Sequence, residues 1–159
     1  MSRLDSFIRR MQAQRLLIDR AVAAIGDLSG PVLEFGLGNG RTYHHLREKL
    51  PGRRVIAFDD KLTAHRESMP PPGDLVLGDI RQTARAFIGC AASLIHVDIG
   101  SGVDERDKET QAWLAPLMPM LLTPRGIVAS GLALEEPRLL ALPLPGEVEE
   151  GRYFLYRQA

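Results

Sequence analysis

The chain has 159 residues, of which 45% are hydrophobic and 25% are charged, as in an ordinary folded domain. This composition excludes collagen-like and intrinsically disordered chains. The 20 basic and 20 acidic residues give a formal net charge of zero, which argues against a protein that binds nucleic acid through a dominant positive field.

The first segment has the spacing of an amphipathic helix. Hydrophobic residues recur at intervals of three, four and seven from Leu4 to Ile25, and Gly26 is a suitable end. The early arginines are not followed by the apolar stretch of a signal peptide, and no window is apolar enough to cross a membrane. We therefore expect a cytoplasmic protein with a helix inside residues 1–28. The part of this helix that stays exposed would offer a surface for a homodimer.

Short apolar segments alternate with helical patterns through the rest of the chain. We predict helices at 42–50, at 81–92 and from 104 to about 114, and strands at 31–35, 55–58, 75–77, 94–98, 126–130, 139–144 and 153–156. Such strands are typical of a mostly parallel sheet that is covered by helices on both faces. No helix pattern separates the last two strands, so we expect an antiparallel pair at one edge. Residues 31–159 would be the sheet core of a single domain, 1–159.

Carboxylates stand at the ends of four predicted strands, where ligands bind in open α/β sheets. They are Glu34, Asp59, Asp79 and Asp98. The first is followed by a glycine-rich turn at 36–40, which allows a sharp bend and a close ligand approach, and by a helix with free N–H groups. Asp59, about twenty residues further on, suits a ribose diol. Asp79 offers an acceptor to an adenine amino group, and Ile80 an apolar face to its ring.

The spacing of the glycines distinguishes between cofactors. A dinucleotide fingerprint, GxGxxG, requires a glycine at position 41, where this chain has Arg41. The carboxylate of Glu34 would also repel a pyrophosphate. It suits a cationic ligand that carries an ammonium and a sulfonium group.

Four segments in this order resemble the motifs of class I S-adenosylmethionine (SAM)-dependent methyltransferases. Residues 34–42 resemble motif I, and residues 55–59, 78–80 and 95–98 resemble the next three motifs. The resemblance covers about 31–130, and the edge strands continue it. It implies the Rossmann-like methyltransferase fold, an α/β three-layer sandwich with a mostly parallel seven-stranded sheet whose last strand is antiparallel. It also implies SAM as the cofactor.

The resemblance implies that ten residues bind the cofactor. They are Glu34, Gly36, Leu37, Gly38, Thr42, Asp59, Asp60, Asp79, Ile80 and Asp98. Residues 36–38 would line the methionine part of SAM, and Glu34 would fix the turn or meet the amino group. Asp59, with Asp60 beside it, would hold the ribose hydroxyls, and Asp98 would lie near the sulfonium, facing the substrate.

The sequence thus predicts a SAM-dependent methyltransferase with an unidentified acceptor, which we expect to be a small molecule because we see no substrate domain. The alternatives are a non-catalytic SAM-binding protein and an NAD(P)-binding Rossmann protein. A catalytic base is optional in methyl transfer, and the candidates are Asp98 and then His44. Acceptor contacts are expected from the N-terminal helix and from segments 61–73 and 101–107. We expect no nucleic-acid or membrane partner.

Several other residues have plainer interpretations. We expect Cys90 to be a small buried residue, His96 to lie in the core, His45 to lie on the surface and Trp113 to pack against neighbours. No metal site is expected, since residues 129–131, where metal-dependent O-methyltransferases carry ligands after the fifth strand, are Ala-Ser-Gly.

Overall fold

A mixed seven-stranded sheet forms the centre of the computed structural model, which describes residues 1–159. The strands are β1 Val32–Phe35, β2 Val55–Asp59, β3 Leu75–Leu77, β4 Ala92–Val97, β5 Leu122–Ser130, β6 Leu139–Ala141 and β7 Phe154–Gln158. Their order is β3-β2-β1-β4-β5-β7-β6. Strands β1 to β5 run parallel, whereas β7 is antiparallel to both β5 and β6. The predicted fold class and the antiparallel edge pair are confirmed.

Helices cover both faces of the sheet. They are α1 Arg3–Ile25, α2 Arg41–Lys49, α3 Ile80–Thr83 and α4 Asp104–Leu121. Buried residues of α1 and α2 form one core with the sheet, and those of α4 form a second core on the opposite face. Because side chains alternate along each strand, neighbouring residues such as Val32 and Leu33 enter different cores. No helix has the length and apolar character that a bilayer crossing requires.

The first helix is buried along only part of its length. Ser2 and Asp5 form a reciprocal cap at its start, with 3.0 Å hydrogen bonds between each side chain and the other residue's backbone N–H. From Ala13 onward the apolar face is buried against the sheet. Leu4 and Ile8 in the first turns stay exposed. The packed half thereby holds the N-terminal half beside the carboxyl ends of the strands.

The predicted helix at 81–92 is wrong. The α-helical segment stops at Thr83, and a 3-10 turn continues only to Phe87. Gly89 then takes a φ of 85° and donates its backbone N–H to the carbonyl of Met120 at the end of α4. The chain is thus turned back into β4, where the pattern had suggested about one and a half more helical turns.

The fourth helix is longer than its pattern predicts. It runs to Leu121 although Pro116 and Pro119 lie inside it, because Leu114, Met118 and their neighbours are buried in the core. This burial outweighs the backbone hydrogen bonds that proline removes. Strand β5 follows at once, four residues before its predicted start, while β6 is shorter than predicted.

Trp113 lies in this helix, and Cys90 contacts its end. Trp113 packs against the core on the α4 face, as expected. Cys90 is half-buried, and its thiol donates to the carbonyl of Leu121 at 3.4 Å. Burial raises the pKa of Cys90. It is therefore a packed thiol rather than a thiolate nucleophile.

Three phenylalanines support the strand ends at which the glycine turn begins. Phe35 and Phe58 are register partners in β1 and β2, and their rings meet edge-on at 5.0 Å. Phe87 packs edge-on against Phe58 at the same distance. The carbonyl of Phe58 accepts the backbone N–H of Gly36 at 2.9 Å. The aromatic cluster thus gives the turn a rigid base.

Candidate cofactor site

A cavity of about 690 Å³ opens at the carboxyl ends of the parallel strands. Its walls come from α1, the turn after β1, the start of α2 and the segments after β2, β3 and β4. Nine of the ten residues proposed for cofactor binding line it, namely Gly36, Leu37, Gly38, Thr42, Asp59, Asp60, Asp79, Ile80 and Asp98. The exception is Glu34, which lies below the cavity wall. The topology therefore gathers residues from four separate motifs around one space.

The glycine turn needs glycine for different reasons at different positions. A Cβ on Gly36 would lie 2.4 Å from the carbonyl oxygen of Asp98, and one on Gly40 would lie 2.6 Å from the Cβ of Ser68. These two glycines therefore allow close protein packing. Gly38 has a φ of 51°, yet a Cβ there would meet no protein atom within 4 Å. Its open side faces the cavity, which leaves room for a ligand to touch the backbone.

Asp59 holds the glycine turn in place. One of its carboxylate oxygens accepts the backbone N–H of Gly38 at 2.8 Å, and the other accepts that of Asp60 at 2.8 Å. The hydroxyl of Thr63 donates to the carbonyl of Gly38 at 3.1 Å on the other side. Each carboxylate oxygen keeps a second lone pair, so Asp59 can also accept from a ligand hydroxyl.

Glu34 lies beneath the turn in a network with buried His96 and half-buried Thr42. Its carboxylate accepts the hydroxyl of Thr42 and lies 2.7 Å from Nδ1 of His96. Glu34 and His96 are register partners on β1 and β4, which brings their side chains together. Burial by itself lowers the pKa of His96, but the Glu34 carboxylate outweighs it and holds that pKa above its usual value. Glu34 thus contacts the protein, and no part of it lines the cavity.

Two further carboxylates of the wall, those of Asp79 and Asp98, are also positioned by hydrogen bonds. Asp79 caps α3 by accepting the N–H of Arg81 at 3.0 Å, which leaves its other oxygen free. Ile80 follows it on the cavity wall. Asp98, just past β4, accepts the side-chain amide of Gln14 at 2.8 Å.

The structure adds cavity residues that are not among the ten proposed for cofactor binding. They are Arg10, Met11, Gln14, Asn39, Gly40, Arg41, Ile99 and Gly100. Three of them belong to α1, where positions 10, 11 and 14 share one helix face. Gln14 carried a detectable signal, because it is a polar residue on the face that buries Leu17 and Ile18.

Other candidates lie away from the cavity. The side chain of His44 is 53% exposed and faces Glu48 on the next helical turn, so His44 is not placed to act as a base. His45 is bonded to Asp19 of α1 at 2.8 Å. Segments 61–73 and 101–107 contribute no lining residue. Of the two candidate bases, only Asp98 faces the cavity.

The donors and charges of the wall fit SAM. The wall carries four aspartates, and the cofactor presents hydroxyls, amino groups and a sulfonium cation that such carboxylates favour. The backbone at Gly38 is open to a ligand, and the N-terminus of α2 contributes to the same wall. The residues present therefore match the cofactor that the motifs imply.

Comparisons with known proteins agree with this fit. The profile of a family described as S-adenosyl-L-methionine methyltransferase matches residues 1–158. The crystal structure of an S-adenosyl-L-methionine methyltransferase from Silicibacter pomeroyi is 41% identical, with a TM-score of 0.92, and the match covers 100% of this chain and 99% of that one. No curated protein matches the chain.

Two more distant solved structures share the fold. TrmN from Thermus thermophilus is 21% identical over 92% of this chain and 48% of its own, with a TM-score of 0.68. CalS11, a TDP-rhamnose 3'-O-methyltransferase of calicheamicin biosynthesis, is 24% identical over 98% of this chain and 83% of its own, with a TM-score of 0.59. The full-length family match and the 41% identical structure together establish that this chain belongs to the SAM-dependent methyltransferases.

Proposed function

We propose that this chain transfers the methyl group of SAM to a small-molecule acceptor, and that residues 1–159 act as one cofactor-binding unit. The observation that carries the proposal is the convergence of nine predicted cofactor residues on a single cavity. Its volume, about 690 Å³, is in the range of small-molecule sites. The zero net charge also favours a small acceptor over a long nucleic acid.

The proposed roles follow the position of each group. Asp59 accepts from the ribose hydroxyls while it holds the turn, and Asp60 lies beside it. Asp79 uses its free oxygen for the adenine amino group, against the apolar face of Ile80. The turn at 36–38 carries the methionine part. Glu34 acts from below, through Thr42, by fixing the start of α2.

SAM supplies an activated methyl group, so the protein mainly aligns the nucleophile and excludes water. Asp98 is the proposed group at the reacting end. Its carboxylate is available to orient the acceptor or to take its proton, and Gln14 holds it from the side. No further protein base is required when the acceptor's nucleophile is already deprotonated.

Calorimetry of the purified chain with SAM, S-adenosylhomocysteine (SAH) and NADH tests the cofactor part. We expect both adenosyl ligands to bind and NADH to give no heat. A panel of small hydroxy, amino and thiol compounds, with SAH release as the readout, then tests the acceptor part. Tight SAM binding without transfer to any small molecule, but with transfer to RNA or a peptide, would contradict a small acceptor. Binding of SAM without transfer to any of these classes would favour the non-catalytic alternative.

Two further expectations stay predictions. The first is a homodimer through the N-terminal half of α1, where Leu4 and Ile8 are exposed by 65% and 44%. Sedimentation of the wild type beside Leu4→Lys/Ile8→Lys tests it, since the lysines should leave only monomers. The second is a cytoplasmic location, which fractionation of the host cell tests.

A further inference from the structure

Two arginines stand together at the rim of the cofactor cavity. Arg10 comes from α1 and Arg41 is the first residue of α2, and both line the cavity. The guanidinium carbon of each lies 5.8 Å from the centre of the same ring, that of Phe7. Phe7 precedes Arg10 by three positions, so it lies on the same face of α1. One aromatic ring therefore gathers two cations from different helices.

Neither arginine is neutralised by the protein. None of the ion pairs in the structure involves Arg10 or Arg41, and neither guanidinium donates a hydrogen bond to a protein acceptor. In particular, neither arginine forms an ion pair with an aspartate of the wall. Both guanidinium carbons lie 5.8 Å from the same ring centre, and therefore no more than about 12 Å apart, so the two unpaired cations repel each other. An anion within reach of both would relieve that repulsion.

SAM is a poor overall partner for the two cations, because its net charge is positive. SAM carries a single carboxylate, and its ammonium and sulfonium groups are positive and suit the four aspartates of the wall. The arginines lie at the rim, on the side closed by α1, the helix whose Gln14 also holds Asp98. An anionic partner for this pair is therefore expected from the second substrate.

We propose that Arg10 and Arg41 bind an anionic group of the methyl acceptor, a carboxylate or a phosphate, and that Phe7 holds both side chains ready for it. The inference rests on the proposed transfer to a small molecule and deepens it: the acceptor is a small acid or phosphate ester. Guanidinium groups match such anions because their N–H donors form paired hydrogen bonds to two oxygens. With the anion held at the rim, the nucleophile of the acceptor is directed toward Asp98.

The first test is a titration of the SAH-loaded protein with inorganic phosphate and phenyl phosphate, with benzyl alcohol as the neutral probe. NMR signals of the arginine Nε–H groups report on each side chain. We expect both phosphates, but not the alcohol, to shift the Arg10 and Arg41 signals. Arg10→Gln and Arg41→Gln should each weaken phenyl phosphate binding about fivefold or more. The matched control is Arg20→Gln, on an exposed part of α1 outside the cavity, which should bind like the wild type.

A second arm separates the acceptor from the cofactor's own carboxylate. SAH is compared with S-adenosyl-3-thiopropylamine, its decarboxylated analogue, on the wild type and both variants. We expect both arginine variants to bind SAH within about threefold of the wild type. If either variant loses as much affinity as removal of the carboxylate causes, that arginine binds the cofactor and the proposal is wrong. Failure of SAH to bind the wild type would instead contradict the cofactor site itself.

A third arm measures methyl transfer to acceptor candidates and the binding of RNA. Acceptor candidates are offered as matched pairs, each acid beside its amide, and SAH release is measured. Turnover of an amide as fast as its acid would overturn the proposal. So would binding of pooled tRNA that depends on both arginines and falls steeply with salt, because that is the behaviour of a polyphosphate site. The phosphate titration decides the proposal even where no pair is turned over.

Discussion

The side-chain amide of Gln14 donates a 2.8 Å hydrogen bond to the carboxylate of Asp98, which joins the first helix to the end of β4. Gln14 is 3% exposed and belongs to the buried face of α1. The first helix is therefore more than a cover for the sheet, because it also holds a carboxylate of the cavity wall. A change at position 14 should alter the site as well as the packing.

Replacement of Gln14 by Glu should destabilise the fold in a pH-dependent way. The new carboxyl would be buried at position 14 and would face the exposed carboxylate of Asp98, so the acid at position 14 should hold a proton well above its ordinary pKa of about 4. A raised acid pKa in the folded state means that stability is present at low pH and is lost as pH rises through that pKa. We expect Gln14→Glu to lose on the order of 2 kcal/mol of unfolding free energy at pH 7 relative to the wild type.

The measurement is urea denaturation of Gln14→Glu and the wild type between pH 4 and 8. Gln12→Glu is the matched control, because it makes the same chemical change on an exposed position of the same helix. Its stability should follow the wild type across this range. A constant difference for Gln14→Glu at every pH would show that the loss comes from packing and not from the Asp98 charge.

Gly38→Val should weaken cofactor binding while the chain still folds. Its added side chain would stand in the cavity, where no protein atom lies within 4 Å. The positive φ of 51° costs about 1–2 kcal/mol for any residue with a Cβ. We expect SAH affinity to fall by about tenfold or more, or ~1.4 kcal/mol of binding free energy, in calorimetry.

Gly26→Val is a control for the introduction of valine at a positive φ. Gly26 has a φ of 54°, its Cβ would also meet nothing within 4 Å, and it ends α1 outside the cavity. Both variants should lose stability, while only Gly38→Val should lose affinity for SAH. Equal SAH affinities in the two variants would mean that the cofactor does not pass close to Gly38.

The sequence was informative where each local signal agreed with the final packing. The apolar strands that lead to Asp59 and Asp79, and the glycine turn after the first strand, predict both the sheet and the wall of the cavity, since parallel strands place their ends together. The helix at 81–92 was predicted from local periodicity alone. It failed because the backbone around Gly89 bonds to the end of α4, a contact that no local pattern contains.

The sequence pattern did not predict Arg10 and Gln14 as cavity residues, and the physical reason is the same. Arg10 and Gln14 reach the cavity only because α1 docks on the sheet at one particular angle, which the helix pattern does not specify. Glu34 was predicted to contact the cofactor, but it does not line the cavity. A carboxylate beside a glycine turn suggests ligand contact, but its register partner is His96, and strand order decides that pairing.

Asp59→Asn should weaken the binding of adenosyl ligands, because residue 59 would then accept less well from the ribose hydroxyls. The neutral amide is a poorer acceptor than a carboxylate, and one of its two positions now carries donors. We expect adenosine to bind the wild type more tightly than 2',3'-dideoxyadenosine, and this preference to shrink about tenfold in Asp59→Asn. The comparison contains its own control, since any loosening of the turn that Asp59 supports affects both ligands alike. An unchanged preference would assign the ribose to another residue.

The buried pair of His96 and Glu34 should make stability depend on pH above about 6.5, the unfolded pKa of histidine. Because the folded pKa of His96 is raised, its contribution is complete below that pH and is lost as pH rises through the folded value. Asp98 acts in the same direction as Glu34. We expect the difference in unfolding free energy between the wild type and His96→Gln to be largest near pH 6. It should then shrink with a slope of up to about 1.4 kcal/mol per pH unit. His65→Gln, at an exposed histidine, should show no such trend in the same denaturation series, and a flat difference for His96→Gln would mean that the buried imidazole does not hold the proton.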